Sequence, residues 1–286
     1  MRLAIVGLGV MGGSLARALV RTHLAGGAGG RGPTEPSTSV WGWAANPADR
    51  AAAAEAGVEI GEHLEGTLLD AEVVVLATPL STLPDLASTV LDVAPAGALV
   101  LDVASLQEAS LAAAKAASLS ARWVSAHPMV GSERSGFDAS RADLYEGATV
   151  FLSADEGVPQ ERRDAAVRFW SRLGALPEWV VPEDHDDRMA TVSHLPQLVA
   201  TALADTIAKT GAPAEALGPG GRDTTRLAGS SVEMWRDMFE HARPALVSGL
   251  RDLAERLEED ASALEGGHLD VPVGRLIRAG AWRRGG

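Results

Sequence analysis

The segment Gly7-Leu8-Gly9-Val10-Met11-Gly12 constrains this chain more than any other, because it joins a short apolar run, Leu-Ala-Ile-Val at residues 3–6, to a stretch of helical spacing from Met11 to Val20. Each glycine of G-x-G-x-x-G between a strand and a helix has its own physical use. The first permits a tight turn, the second lets backbone approach a pyrophosphate, and the third lets helix and strand pack closely. Unpaired N–H groups at the helix start then face the phosphates. The pattern by itself also fits a glycine turn with no ligand, so the context decides.

That context is an alternation of strands and helices. Val40 to Ala44, Val73 to Ala77, Leu99 to Val103 and Trp123 to Ala126 read as strands, and Pro47 to Ala56 and Gln107 to Ala117 as helices. Phe151 to Ser153, a helix from about Pro159 to Leu173, and Glu178 to Val181 read as the last units of the same sheet. Continuous apolar runs such as Val-Val-Val-Leu-Ala suit strands covered on both faces. The spacing predicts an α/β fold, with a Rossmann-type, doubly wound, mainly parallel sheet over residues 1–181. After Pro182 the stretches Asp184 to Ala208 and Val232 to Leu264 are amphipathic with no strand candidate between them, which predicts an all-helical second domain over 182–265. Leu24 to Ser39, rich in Gly, Pro, Ser and Thr, is expected to be a long flexible loop, and the Gly- and Arg-rich tail 266–286 to be poorly ordered.

Composition narrows the partners. Thirty-eight acidic and 25 basic residues give a formal charge of −13, which repels nucleic-acid backbones and anionic lipid. An anionic substrate needs its own concentrated cations in such a chain. With no cysteine, disulfides, thiolate catalysis and cysteine-bound zinc are excluded. No run of 18 apolar residues occurs, so no membrane span is expected. Met1-Arg2 and the apolar residues after it mimic a leader, but Gly7, Gly9, Gly12 and Gly13 interrupt the run and Arg17 follows. A cytoplasmic protein is the expectation.

Around the nucleotide turn, Ala44, Ala45 and Asn46 stand where an acidic residue usually holds the adenosine ribose. Asn46 is the polar candidate there, and Arg50 is the nearest cation. NAD and NADP both stay open, with NAD favoured because no basic cluster is present. Thr78-Pro79 and Ser105 follow strands at positions where open α/β sheets bring residues to a ligand.

Further along, Ala126-His127-Pro128-Met129 and Gly131-Ser132-Glu133-Arg134-Ser135-Gly136 follow a strand, and Ser193-His194-Leu195-Pro196 interrupts an apolar helical stretch. Arg222-Asp223-Thr224-Thr225-Arg226 concentrates two cations, with Trp235 nine residues beyond Arg226. Each of these alone has a plain structural explanation. Together with GLGVMGGS, the DVAS segment, PEDHDDRMATVSHLP and RDTTRLAGSSVEMWRD, they resemble the prephenate/arogenate dehydrogenase family from the first strand to about Leu264.

The resemblance implies oxidative decarboxylation of a ring that carries a 4-hydroxyl and a carboxylate, with hydride passing to NAD(P), on the route to tyrosine. It makes His127 the acceptor of the hydroxyl proton, a task suited to an imidazole, and Ser105 the serine that hydrogen-bonds this histidine and helps place the nicotinamide. It makes Arg226 the guanidinium that holds the ring carboxylate, puts His194 near the side-chain carboxylate, and puts Trp235 in the pocket wall. Glu133 fits a glutamate near the entrance. Gly7, Gly9, Gly12, Thr78, Pro79 and Asn46 are the cofactor candidates. Gln197 replaces a second histidine found in some prephenate-using members, so prephenate and arogenate both remain candidate substrates. A homodimer through the helical domain is implied, and surplus apolar side chains such as Leu195, Leu198, Leu246 and Leu250 agree with it.

Two rivals fare worse. A 3-hydroxyacid dehydrogenase is expected to carry a catalytic lysine on its helical domain, whereas Lys115 and Lys209 are the only lysines and neither lies in a motif. A non-catalytic nucleotide sensor predicts decay at His127, Ser105 or Arg226, all of which are present. Glu183-Asp184-His185-Asp186-Asp187 offers metal-ligand types, but carboxylates at a helix start are stabilised by the helix dipole without an ion. No metal is expected.

Overall fold

The computed structural model describes residues 2–28, 39–131, 134–241 and 243–285. Two compact units emerge: Met1–Asp186 with Arg226–His241, and Asp187–Thr225 with Ala242–Gly286.

The first unit is built on a sheet whose strands, in chain order, are β1 (Arg2–Val6), β2 (Ser39–Trp43), β3 (Glu59–Ile60), β4 (Val73–Leu76), β5 (Leu99–Asp102), β6 (Trp123–Pro128), β7 (Thr149–Ser153) and β8 (Leu176–Trp179). Their spatial order is β3-β2-β1-β4-β5-β6-β7-β8. Every pairing is parallel except β6 with β7. The chain winds outward from β1 to β3 and returns to β4 on the other side of β1, which puts the switch point of the fold between β1 and β4.

Helices α1 (Val10–Ala28), α2 (Pro47–Glu55), α3 (Leu64–Leu68), α4 (Leu83–Val93), α5 (Gln107–Ala116) and α6 (Gln160–Arg172) accompany these strands. Strand alternation divides the apolar side chains into two cores. Leu3 and Ile5 of β1 join Val124 and Ala126 of β6 with α1 and α6 residues such as Leu15 and Trp170. Ala4 and Val6 join Trp123 with α4 and α5 residues such as Leu86, Val90 and Leu111. A sheet buried on both faces explains why its strands are apolar throughout.

The structure adds to and corrects the sequence expectations. Residues 57–72 and 80–98, which the sequence pattern leaves unassigned, form β3, α3 and α4. In α4 the buried Leu83, Leu86, Ala87 and Val90 repeat at helical spacing. The expected loop from Leu24 is shorter, since α1 continues to Ala28. Leu24, Ala25 and Ala28 extend a helix already nucleated, against a cost of about 1 kcal/mol for each glycine; residues 29–38 lie outside the described residues.

The expected poorly ordered tail instead forms α12 (Asp270–Arg283). It is tied to α11 (Pro244–Glu265) by Arg275, whose Nε and Nη2 donate to Asp260 and Glu259 at 3.0 and 2.9 Å. The expected division at 181/182 also shifts. The first unit continues to Asp186 and takes in the tight helical turn Arg226–Gly229 and α10 (Val232–Glu240). Trp235 and Met238 of α10 pack on the α4/α5-side core. Asp237 accepts from the backbone N–H and hydroxyl of Ser81 at 3.0 and 2.9 Å.

The remaining helices are α7 (Pro182–Met189), whose residues through Asp186 belong to the first unit, then α8 (Leu195–Ala208) and α9 (Pro219–Thr225) of the second. A π-helical turn, Ala190–His194, precedes α8, and the Leu195 N–H donates to Ala190. Pro196 in the first turn of α8 has no N–H to donate, so a wider turn upstream accommodates the lost bond. Within the second unit, α8 and α11 approach where Gly249 faces Leu195, and Arg243 pairs with Asp187 at 2.9 Å.

Candidate active site

The glycine turn separates packing from access. Gly7 has φ +93°, and a Cβ there would lie 2.3 Å from the Ala77 carbonyl oxygen. A Cβ on Gly12 would lie 1.8 Å from the Gly7 carbonyl oxygen and 3.0 Å from Ala77. Both glycines are therefore required by the close approach of the turn to the end of β4. Gly9 is different: a Cβ there meets nothing within 4 Å, so its missing side chain leaves open space in front of the first turn of α1. That arrangement fits a dinucleotide pyrophosphate held on backbone N–H groups.

On the other side of the switch point, Thr78 and Pro79 follow β4. Thr78 Oγ1 accepts from Thr82 at 2.7 Å, and the Pro79 carbonyl accepts from the Thr82 backbone at 3.0 Å, which closes a rigid turn. Asn46 follows β2 and caps α2, its Oδ1 accepting from Ala48 N–H at 3.0 Å. Arg50 donates to the carbonyls of Ala44 and Ala45, so this guanidinium is turned to the end of β2.

His127 stands at the end of β6. Strand alternation puts it on the face of Trp123 and Ser125. Its Nδ1 lies 2.9 Å from Nε2 of His185, and Nδ1 of His185 lies 2.8 Å from Oδ1 of Asp186. Asp186 in turn accepts from the N–H groups of Gln107 and Glu108 at 2.9 and 3.0 Å, capping α5 from a distant part of the chain. Leu106, in the N-cap position, makes no side-chain cap of its own. His185 and Asp186 are 3% and 2% exposed. Phe151, the cross-strand neighbour of His127, packs edge-on against His185 at 5.4 Å.

The sequence reading missed His185 and Asp186. The acidic stretch around them was weighed as a metal site, as a helix start and as part of a family motif, with no role for either residue. The available signal was a histidine directly before an aspartate at the start of a helix.

Below His127 lies a second polar group. Asp102 ends β5, is fully buried, and accepts from Ser110, the Trp123 indole, Ser125 and the Ala104 N–H. Burial pushes its carboxyl up to about 6, and the four hydrogen bonds pull against that shift. This network pins the turn that carries Ser105.

Ser105 is half-buried between β5 and α5. The hydrogen bond expected between Ser105 and His127 is not made among the described residues; Nδ1 of His127 meets His185 of α7. Arg226 is exposed at the start of its turn, in the same unit as His127. Trp235, expected in a pocket wall, is half-buried against the α4/α5-side core with Phe239 at 5.7 Å. His194 is 3% exposed in the second unit, and Glu133 lies outside the described residues.

A doubly wound sheet with an open glycine turn at its switch point, and an oriented imidazole at a nearby strand end, defines a dinucleotide-binding oxidoreductase. Comparison with known proteins specifies which. Residues 33–177 match the profile described as prephenate dehydrogenase, nucleotide-binding domain, and residues 181–275 match prephenate dehydrogenase, dimerization domain. The chain is 25% identical to cyclohexadienyl dehydrogenase of Zymomonas mobilis, over 92% of this chain and 88% of that one. Its fold matches the crystal structure of prephenate dehydrogenase from A. aeolicus in complex with hydroxyphenyl propionate and NAD+, with a TM-score of 0.85, 27% identity and coverage of 99% and 97%. It also matches Synechocystis arogenate dehydrogenase, with a TM-score of 0.76, 25% identity and coverage of 99% of both chains. The chain belongs to the prephenate dehydrogenase family.

Proposed function

We propose that this protein binds NAD at the glycine turn and converts prephenate to 4-hydroxyphenylpyruvate and carbon dioxide, in the pathway to tyrosine. The observation that carries this reading is the ring of His127, held at a strand end of the nucleotide-binding unit by a buried partner. NAD, when bound, supplies the nicotinamide that takes hydride from the hydroxyl-bearing ring carbon. His127 accepts the hydroxyl proton, which lets the carbonyl-like oxygen form as hydride departs. Loss of carbon dioxide then leaves an aromatic ring. Arg226 supplies the guanidinium for the ring carboxylate, a fork that lysine reproduces poorly. Ser105 is assigned to the nicotinamide side, His194 to the substrate's side-chain carboxylate, and Trp235 and Glu133 to the substrate surroundings, all on the family resemblance.

NAD is preferred over NADP because the end of β2 carries no cluster of cations, and Arg50 is engaged with the Ala44 and Ala45 carbonyls. The A. aeolicus relative with NAD+ bound supports the same choice. Arogenate is the second reading. Gln197, 5% exposed, occupies the place of a histidine found in some prephenate-using members, and the Synechocystis relative is an arogenate dehydrogenase.

The second unit exposes Val247, Leu257, Leu264, Leu276 and Ile277, apolar surface of the kind that a second copy covers. We assign it to a homodimer, in agreement with the dimerization-domain match. Among the described residues no helix is long and apolar enough to cross a membrane, and the cytoplasm is the proposed location. Initial rates with prephenate and with arogenate, each paired with NAD and NADP, test the assignment. The expected maximum is prephenate with NAD, and no nicotinamide reduction with either acid would refute it.

A further inference from the structure

We propose that His185 and Asp186 form a positioning pair that keeps the proton of His127 on Nδ1 and so leaves Nε2 unprotonated, as the base. The inference rests on the reading of His127 as the proton acceptor. It follows from the direction in which each hydrogen bond must run. A carboxylate only accepts. Asp186 already accepts from the Gln107 and Glu108 N–H groups, and its third short contact is Nδ1 of His185 at 2.8 Å. That nitrogen therefore carries the proton.

A neutral imidazole protonated at Nδ1 presents a lone pair at Nε2. In His185 this lone pair faces Nδ1 of His127 at 2.9 Å, and a short contact between two ring nitrogens needs one proton between them. The proton belongs to His127, whose Nε2 is left unprotonated. Reversing either tautomer would put two lone pairs or two protons face to face. The order from Asp186 to His185 to His127 is thus set by the one member that cannot donate.

The surroundings hold this order in place. His185 and Asp186 are 3% and 2% exposed. The His185 ring stands at 82° to His127 and is met edge-on by Phe151. When Nε2 of His127 takes the substrate hydroxyl proton, the imidazolium keeps its Nδ1 proton directed at His185. No proton needs to travel along the pair; its contribution is orientation and stabilisation of the cation. Asp186 has a structural use as well, capping α5, so the test leaves Asp186 in place.

Two substitutions at one position separate positioning from packing. His185→Phe keeps an aromatic ring but removes the acceptor facing His127. His185→Gln keeps the polarity, since its amide N–H can donate to Asp186 while its carbonyl accepts from His127. The expected result is a kcat at least tenfold lower for H185F, with KM for substrate and Kd for NAD within about threefold of the parent, and for H185Q a kcat within about fivefold of the parent. Selective 15N labelling of histidine in the cofactor-free protein supplies a readout independent of activity, with the His127 resonances assigned by their loss in His127→Asn. His127 and His185 should both be protonated at Nδ1 and bare at Nε2.

H185F with undiminished kcat, equal losses in H185F and H185Q, or a His127 ring protonated at Nε2 would each overturn the positioning role. The 15N spectrum decides even where H185F does not fold. Full activity in His127→Asn would instead remove the underlying assignment of the base.

Discussion

Single atoms at the glycine turn separate two effects that share one motif. An alanine methyl at Gly12 would be driven into the Gly7 carbonyl at 1.8 Å, against backbone that cannot rotate away. Gly12→Ala should therefore lower unfolding free energy by about 3 kcal/mol, the upper end of overpacking costs. At Gly9 the same methyl meets open space, so Gly9→Ala should unfold like the parent and yet bind NAD more weakly. Denaturant melts paired with NAD titrations check both, and equal stability losses at the two positions would contradict the division. The motif itself is plain in the sequence. Which of its glycines faces a ligand and which faces the protein becomes visible only with Ala77 in place.

At the scale of elements, β5, β6 and α5 are joined by Asp102 as well as by apolar contact. Its carboxyl titrates near 6 in the folded protein, against about 3.9 in an unfolded chain. The folded value is the higher one, so folding favours the protonated form. The stabilising contribution is complete below about pH 3.9 and is lost as pH rises through about 6, a change on the order of 3 kcal/mol. The gap in unfolding free energy between the parent and Asp102→Asn should change by that order between pH 4 and pH 7.5. Parallel pH profiles in urea melts would show that Asp102 does not titrate in this window. Asp186 illustrates the same joining at longer range, since α5 has no local cap and receives one from α7. A cap separated by 79 residues from the N–H it serves leaves no trace in local sequence pattern.

For the molecule as a whole, the second unit holds few fully buried apolar side chains, with Met189, Ala190, Ala200, Leu246 and Ala263 among them, while Leu257, Leu264, Leu276 and Ile277 stay exposed. Exposed apolar surface of this kind is what a second copy would cover in the proposed homodimer. Sedimentation at micromolar concentration should give twice the 29.6 kDa chain mass, and a monomer there would refute the homodimer. The negative net charge of −13 works against association of two copies, so the apolar surface must outweigh it in the proposed homodimer. The same charge implies that an anionic substrate needs local cations rather than the overall field, the part the proposed function gives to Arg226.

Local pattern was enough to establish the strand-and-helix alternation, the glycine turn and the helical character after Pro182, because these depend on periodicity and on residue types at short spacing; His127 and Arg226 were singled out by the family resemblance. The order of the strands, the antiparallel β7, the placement of α10 with the nucleotide-binding unit, and the helix made by the last residues were decided by tertiary contacts. The partner of His127 was decided in the same way. Residues 127 and 185 are 58 positions apart, and the hydrogen bond between their rings exists only once β6 and α7 are packed together. Sequence carries the chemistry of each side chain, but the direction of a proton depends on which groups folding brings within 3 Å of each other.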